Sequence, residues 1–197
     1  MIQVYTQNTN GTWLAVACSG RQIVATSFAD LEQKALNHLF NNLPLNAPFQ
    51  VMYDSSTYAK EVFTLMVEVL EGKDIDHSFD LATDRLPKYT VYVLSAVMQI
   101  PPGYIASYGE VAKAVGGGPR AVGNVMAGNI FVPLVPCHRI VKSDFSLGGY
   151  GGGLKIKYQL LMKEKRGYFE PKDISIKNGD VLRVYPVEVT LKNVFLL

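Results

Sequence analysis

"SYGEVAKAVGGGPRAVGNVMAGN", residues 107 to 129, reads as two short helices joined through glycine. Ser107 stands where an N-cap hydroxyl accepts an exposed backbone N–H, and Glu110, three residues on, has the spacing to reciprocate. Gly116-Gly117-Gly118 supplies a flexible turn. Pro119 suits the first turn of the next helix, where its missing N–H costs nothing, and Gly128-Asn129 closes that helix. Two short helices across such a turn read as a helix-turn-helix, a motif that many helical hairpins share without binding anything. The second helix is unusually smooth: Ala121, Gly123, Ala127 and Gly128 leave few long side chains to read base edges in a major groove. A smooth helix can approach a narrow minor groove and hold a duplex by backbone and phosphate contacts, with Arg120 the conspicuous long group at its start. The ordinary alternative for Arg120 is a solvated residue at a helix end.

Upstream of this pair the pattern changes. "IQVYTQ", "TWLAVAC" and "RQIVATSF" are short β-rich runs separated by Asn10-Gly11 and Ser19-Gly20, which predicts a small antiparallel sheet. "DLEQKALNHLFNN" then places Leu31, Ala35, Leu36, Leu39 and Phe40 on one helical stripe, broken by "LPLNAP". A further β-like run around "FQVMY" precedes a helical pattern from Thr57 to Glu71 that stops at Gly72. "KDIDHSFDLATDRLPKY" is acidic and turn-rich and is the candidate linker, ending near Pro87. From Thr90, "TVYVLSAVMQI" is helical with Val93, Leu94, Val97 and Met98 on its apolar face until Pro101-Pro102-Gly103. The fold class expected is α+β: an N-terminal α/β domain over 1–87, a mainly helical domain over 88–167, and an extension over 168–197 in which "DISIKNGDVLRVY" reads as a hairpin around Asn178-Gly179.

The formal charge of +2 conceals opposite halves. Residues 1–87 hold 5 Lys/Arg against 10 Asp/Glu, and residues 88–197 hold 14 against 7. A basic second half suits a polyanion, nucleic acid first among the candidates, or a merely solvated surface. No window approaches the run of about 20 apolar residues needed to cross a bilayer, and "MIQVYTQNTN" lacks the features of a signal peptide. The expectation is a cytoplasmic protein with no membrane partner. Two cysteines, Cys18 and Cys137, are too few for a disulfide scaffold, and in a reducing compartment both are expected free. Cys18, His38 and His77 form no close-spaced ligand set, so no metal is expected.

"LVPCHRIV", residues 134–141, sets Cys137, His138 and Arg139 side by side. A buried cysteine is commonly a small hydrophobe, so these residues alone leave a structural and a reactive reading open. Together with "IASYGEVAKAVG", "RAVGNVMAGN", "GGYGGGL" and "LKIKYQLLMKEKRG", in order and spacing, they make residues 90–167 resemble the O6-alkylguanine-DNA alkyltransferase family. The resembling segment is about 40% of the chain. The resemblance implies a ribonuclease H-like N-terminal domain and repair by moving an alkyl group from O6-alkylguanine in double-stranded DNA onto the protein's own cysteine. A soft nucleophile is what displacement at an alkyl carbon needs, and thiolate is the best a side chain offers. Cys137 takes that role by resemblance, as an ionised sulfur. Consecutive side chains of an extended segment diverge, so His138 would take the thiol proton through a bridging water. The resemblance further implies that Glu164 orients His138, that Tyr108 donates to the departing base and that Asn129 braces the active-site turn. Arg120 would fill the gap left by a flipped nucleotide, with Ala121, Gly123, Ala127, Tyr108 and Arg139 also on the DNA. An alkylated base inside a duplex cannot present its O6 group to a buried thiol, so flipping at a cost of about a few kcal/mol is part of this reading.

Val135, Pro136, Tyr150, Gly151 and Gly152 are expected to shape the pocket. "GYGGGLK" is a weak match to a phosphate-binding loop, because no Gly-Lys-Ser/Thr follows it, and no cofactor is implied. The alkylated sulfur is a thioether without an easy way to leave, so each molecule should react once, as a monomer. Many relatives carry proline after the bracing asparagine, whereas Ile130 follows Asn129 here, and Ala127 stands where an arginine is frequent. The stretch beyond Gly167 exceeds the family's usual end. Two rivals stay open: a non-catalytic lesion binder of the same fold, and a Cys-His hydrolase with ordinary turnover, for which an adjacent pair is poor geometry.

Overall fold

In a computed structural model of the chain, residues 1–75, 79–176 and 180–193 are described. The expected hairpin turn at Asn178-Gly179, and His77, lie outside them. The fold is mixed α+β, and the chain divides into two units: Met1–Leu70 with Ile75–Arg85 and Ile130–Leu134, and Glu71–Asp74 with Leu86–Asn129 and Val135–Leu197. No helix among the described residues is long and apolar enough to cross a membrane.

The first unit is built on three antiparallel strands, β1 (Ile2–Thr9), β2 (Thr12–Ser19) and β3 (Gln22–Ala29), joined by the expected Asn10-Gly11 turn and by a second turn at Gly20-Arg21, one residue later than expected because Ser19 still pairs with Gln22. Two short parallel strands flank them, β4 (Phe49–Val51) beside β1 and β5 (Asp80–Leu81) beside β3. The β2 run from Leu14 to Cys18 is buried at every position, so both of its faces are covered. On one face Ala15, Ala17, Val24 and Ala25 pack with Ala35 and Leu39 of helix α1 (Glu32–Phe40). Helix α2 (Thr57–Leu70) packs on β2 and β1 and buries Ala59, Val62, Phe63 and Met66. Each such large side chain, withdrawn from water, contributes about 1.5–3 kcal/mol.

Two expectations for this unit need correction. Leu31 does not join the α1 stripe: it is the residue before the helix and is 55% exposed, because the backbone there is extended and turns it outward. The candidate linker is partly structured. β5 pairs Asp80 and Leu81 with Gln22 and Ile23, Gln22 Nε2 donates to Asp80 Oδ2 at 2.9 Å, and Arg85 donates to the Val24 carbonyl at 2.9 Å. Ile130–Leu134 belongs to this unit by similar means, since the Thr26 N–H donates to the Ile130 carbonyl at 2.9 Å and the Thr26 hydroxyl to that of Val132 at 2.9 Å.

The second unit opens with α3 (Lys88–Met98), which buries Val93, Leu94 and Val97. A strand that the sequence pattern did not reveal, β6 (Tyr104–Ser107), follows and runs straight into α4 (Tyr108–Val115). The Ser107 hydroxyl accepts the Glu110 N–H at 3.1 Å, as expected of the cap. The reciprocal half is absent, because the Glu110 carboxylate takes Lys113 at 2.6 Å instead. After the glycine turn comes α5 (Pro119–Ala127), with proline in its first turn. A single 3-10 turn, Cys137–Arg139, leads into β7 (Ile140–Val141), and α6 (Leu154–Lys163) follows. Strands β8 (Lys172–Ser175) and β9 (Val181–Pro186) pair antiparallel, and α7 (Val187–Lys192) ends the described chain. The sheet order is β7-β6-β9-β8, so β6 is central, parallel to β7 and antiparallel to β9. β8 and β9 thus complete the sheet whose other strands, β6 and β7, adjoin the candidate site.

Candidate active site

The 3-10 turn decides how its three side chains are used. An extended Cys137-His138 pair was expected; the backbone is instead tightly wound, with the Cys137 N–H donating to Val135 O at 2.8 Å and the Arg139 N–H to Pro136 O at 2.9 Å. Cys137, His138 and Arg139 are all buried. Asn129 braces the approach to the turn, its Nδ2 donating to the Val135 carbonyl at 2.9 Å. Val135 and Pro136 are buried beneath it.

Glu164, the residue that ends α6, is fully buried, which excludes a surface role. Its Oε1 lies 2.7 Å from His138 Nε2, and Arg139 Nε donates to both carboxylate oxygens at 2.9 and 3.1 Å. Arg139 also donates to the Ile100 carbonyl at 2.5 Å. The expected contact of Arg139 with DNA is therefore corrected: its guanidinium is consumed inside the protein. Burial alone would push the Glu164 carboxyl up, but His138 and the fixed charge of Arg139 hold it at about 2, against an ordinary 4.5. Glu164 is thus a carboxylate.

Burial pushes His138 below the usual imidazole range, against the pull of Glu164, so the ring is neutral. With Nε2 donating to a carboxylate, the tautomer leaves Nδ1 as an acceptor, and that buried atom has no hydrogen-bond partner among the described residues. Burial also pushes the Cys137 thiol up, while the Asn129 amide and the Lys157 charge pull it down less. The resting sulfur is therefore protonated, not the standing thiolate expected from sequence.

Lys157 is the residue that sequence reasoning missed. Its side chain is fully buried, with Nζ donating to the carbonyls of Ile140 at 2.5 Å and Gly149 at 3.2 Å. Burial lowers its pKa to about 8, and the neighbouring Cys137 raises it in part. The signal was in the sequence: Lys157, Leu160, Leu161 and Glu164 recur at the spacing of one helix face, and the two apolar members mark that face as buried.

Tyr108 begins α4, half-buried, with its hydroxyl pushed up by burial and by Cys137. Its ring lies against Gly148, where an added Cβ would stand 3.2 Å from the ring and where φ is +66°, so glycine is needed for this close approach. Burial likewise raises Tyr150, again with Cys137 nearby. Gly152 lies against the Tyr150 ring, whereas Gly151 has open space around it. On α5, Arg120 and Ala127 are exposed, Ala121 and Gly123 partly so, and Gly123 faces the Tyr108 ring. Cys137, His138, Glu164, Asn129, Tyr108 and Tyr150 are thus gathered in one unit, with the smooth face of α5 presented to solvent.

These features define a class of protein: one with a buried cysteine followed by a histidine paired to a buried carboxylate, in a unit that also carries a short helical pair. Residues 88–166 match the family described as "6-O-methylguanine DNA methyltransferase, DNA binding domain". A methylated-DNA--protein-cysteine methyltransferase of Pyrobaculum aerophilum is 47% identical over 81 residues, 41% of this chain and 52% of that protein. One from Sulfurisphaera tokodaii is 34% identical over 107 residues, 54% of this chain and 68% of that protein. The crystal structure of Mycobacterium tuberculosis OGT in complex with DNA aligns with a TM-score of 0.64 at 27% identity, covering 83% of this chain and 92% of that one. The chain belongs to the O6-methylguanine-DNA methyltransferase family. It spans about half the length of the first of these relatives.

Proposed function

We propose that this protein repairs DNA by direct reversal, transferring the alkyl group of O6-alkylguanine in duplex DNA to Cys137, once per molecule and as a monomer, in the cytoplasm. The observation that carries this reading is the buried His138–Glu164 pair, directly following buried Cys137 in the chain, with Nδ1 of His138 left without a hydrogen-bond partner among the described residues. Family membership and the match to its DNA-binding domain support the substrate class.

In this mechanism the Cys137 proton passes to Nδ1 of neutral His138 through a bridging water. The imidazolium that forms is stabilised by ionised Glu164, which Arg139 keeps from accepting the proton itself. The thiolate attacks the alkyl carbon, the S–C bond forms as the C–O6 bond breaks, and the electron pair leaves with the guanine oxygen. Tyr108 donates to the base as that charge develops, and Lys157 stabilises the sulfur anion. The product is a thioether, which has no leaving group to regenerate the thiol.

Delivery of the lesion follows from the surface of α5. Gly123, Ala127 and Ala121 allow the second helix of a helix-turn-helix to enter the minor groove, and exposed Arg120 takes the place of the extruded nucleotide. Tyr150, Val135, Pro136, Gly151 and Gly152 receive the flipped base.

The test follows label from duplex DNA bearing methyl-labelled O6-methylguanine. Transfer to protein, at no more than one label per molecule and lost in Cys137→Ala, is the expected result. Tight binding without transfer would mark a lesion sensor, and repeated release of label a hydrolase.

A further inference from the structure

The chain from Tyr168 onward lies beyond the family match, and the proposed reaction assigns it nothing. Its contacts nonetheless converge on Glu164. At the start of α7, the Val187 N–H donates to the Gly103 carbonyl at 3.0 Å, and the Gly103 N–H donates to Glu164 Oε2 at 3.4 Å. The next residue, Glu188, is buried and accepts from the backbone N–H groups of Arg166 at 3.2 Å and Gly167 at 2.6 Å, just past Glu164. Consecutive residues of one helical turn thus hold the two backbone segments that flank a single carboxylate. Gly103 is itself confined: φ is +84°, and an added Cβ would stand 2.8 Å from the ring of Tyr168, which stacks on Tyr104.

From these contacts we infer that Val187 and Glu188 are positioning residues of the active site, holding the Glu164 carboxylate in the orientation that fixes His138. The inference rests on the His138–Glu164 relay proposed above. Helix ends fray when their backbone groups lack partners, and Glu164 ends α6. A carboxylate on a fraying end would turn away from Nε2 and let the imidazole choose either tautomer. The apolar residues of the same segment do something different. The Val187 side chain and, more peripherally, those of Tyr185 and Leu191 pack with Ile105, Val141, Leu147 and Leu161, which holds the sheet together, whereas it is the Val187 backbone N–H that reaches the Gly103 carbonyl.

The separation of these roles gives the test, made on the full chain. Carbamidomethylation of Cys137 by iodoacetamide is followed against pH by peptide mass spectrometry, a readout that needs no DNA. The Glu188 and Leu191 variants leave intact the charged and titratable groups that act on Cys137, namely Lys157 from α6, Tyr108 from α4 and Tyr150, and the ion-paired His138, Arg139 and Glu164. Glu188→Ala is expected to displace the profile to higher pH and to slow the reaction about tenfold near neutrality, as misplacement of a catalytic group does. Glu188→Gln keeps an acceptor oxygen and should retain the parent profile. Leu191→Ala should lower the melting temperature and leave the profile unmoved. If Glu188→Ala does not fold, Glu188→Asp, one methylene too short, carries the same expectation. Glu164→Gln is the reference. If it displaces the profile and Glu188→Ala does not, or if Leu191→Ala displaces it equally, the inference is overturned. If Glu164→Gln itself leaves the profile unmoved, the relay falls and the inference with it.

Discussion

Replacing Glu164 by glutamine changes one atom and removes one charge, and the site makes its cost calculable. Glu164 is fully buried and receives Arg139 at 2.9 and 3.1 Å and His138 at 2.7 Å. The gap between an ordinary 4.5 and about 2, at about 1.4 kcal/mol per pH unit, corresponds to roughly 3 kcal/mol of stability. The folded pKa is depressed, so that contribution is fully present above the ordinary carboxyl range and is lost as pH falls through it toward about 2. Glutamine forfeits it at neutral pH and leaves the Arg139 charge buried without an anion, a change that typically costs about 3–5 kcal/mol. The reaction suffers separately, because a glutamine amide does not fix Nε2–H or stabilise an imidazolium; a loss of about 10²- to 10⁴-fold in transfer rate is expected. Urea unfolding of parent and variant at neutral and at acid pH measures the first effect. The stability difference should narrow as the parent carboxylate protonates. Single-turnover transfer from methyl-labelled duplex measures the second. A variant that repairs within about twofold of the parent, or whose stability deficit is the same at both pH values, would refute the reasoning.

Lys157→Met removes the positive charge near Cys137, so the iodoacetamide profile of that thiol should shift to higher pH; an unmoved profile would separate Lys157 from the sulfur. Arg120→Ala should slow repair in duplex DNA more than reaction with free O6-methylguanine, and equal slowing of both would remove it from flipping. Gly148→Ala places a Cβ 3.2 Å from the Tyr108 ring at a φ of +66°, and should cost about 1–3 kcal/mol in thermal unfolding while impairing transfer. Affinity for duplex should fall steeply with salt yet vary little with flanking sequence, as gel-shift titrations would measure, since the contacts expected are with phosphates.

How far the sequence carried this account depended on the range of the interactions involved. The Asn10-Gly11 hairpin and the Ser107 cap were legible because each is made by residues within four positions of one another. β6 was not, because its four residues follow a Pro-Pro-Gly turn and are stabilised by pairing with Ile140–Val141 and with Tyr185–Pro186, partners far along the chain. β5 hid for the same reason inside an acidic stretch that composition marked as linker. At the site, the resemblance nominated Cys137, His138, Glu164 and Asn129, which the fold gathers around the turn at Cys137–Arg139. Arg139 was misjudged because charge alone suggests an external partner, whereas its partner is a carboxylate 25 residues away. The protonation state of Cys137 was equally illegible, since it is a balance of burial against Asn129 and Lys157 that no local pattern encodes.

On the proposed reaction, that balance bears on how a nucleophile used once survives until it is needed. A thiolate exposed to water would react with any soft electrophile, and each such reaction would consume a whole protein molecule. Cys137 is kept from this by being buried 7% exposed and protonated, beside a histidine that is neutral for the same reason. Both members of the pair therefore rest in their uncharged forms, the Glu164 and Arg139 charges offset one another, and the Lys157 ammonium lies close enough to act on Cys137. Proton transfer converts this neutral pair into thiolate and imidazolium, a step that desolvation opposes and that Glu164 and Lys157 favour. In the proposed mechanism the two favourable terms are spatially separate: Glu164 would stabilise the imidazolium from the Nε2 side, and Lys157 the sulfur from α6. Loss of either should therefore reduce reactivity without abolishing it, and loss of both should reduce it by more than one alone. A double variant no slower than the single ones would show that the two groups act through one shared contact rather than on the two ends of the transferred proton.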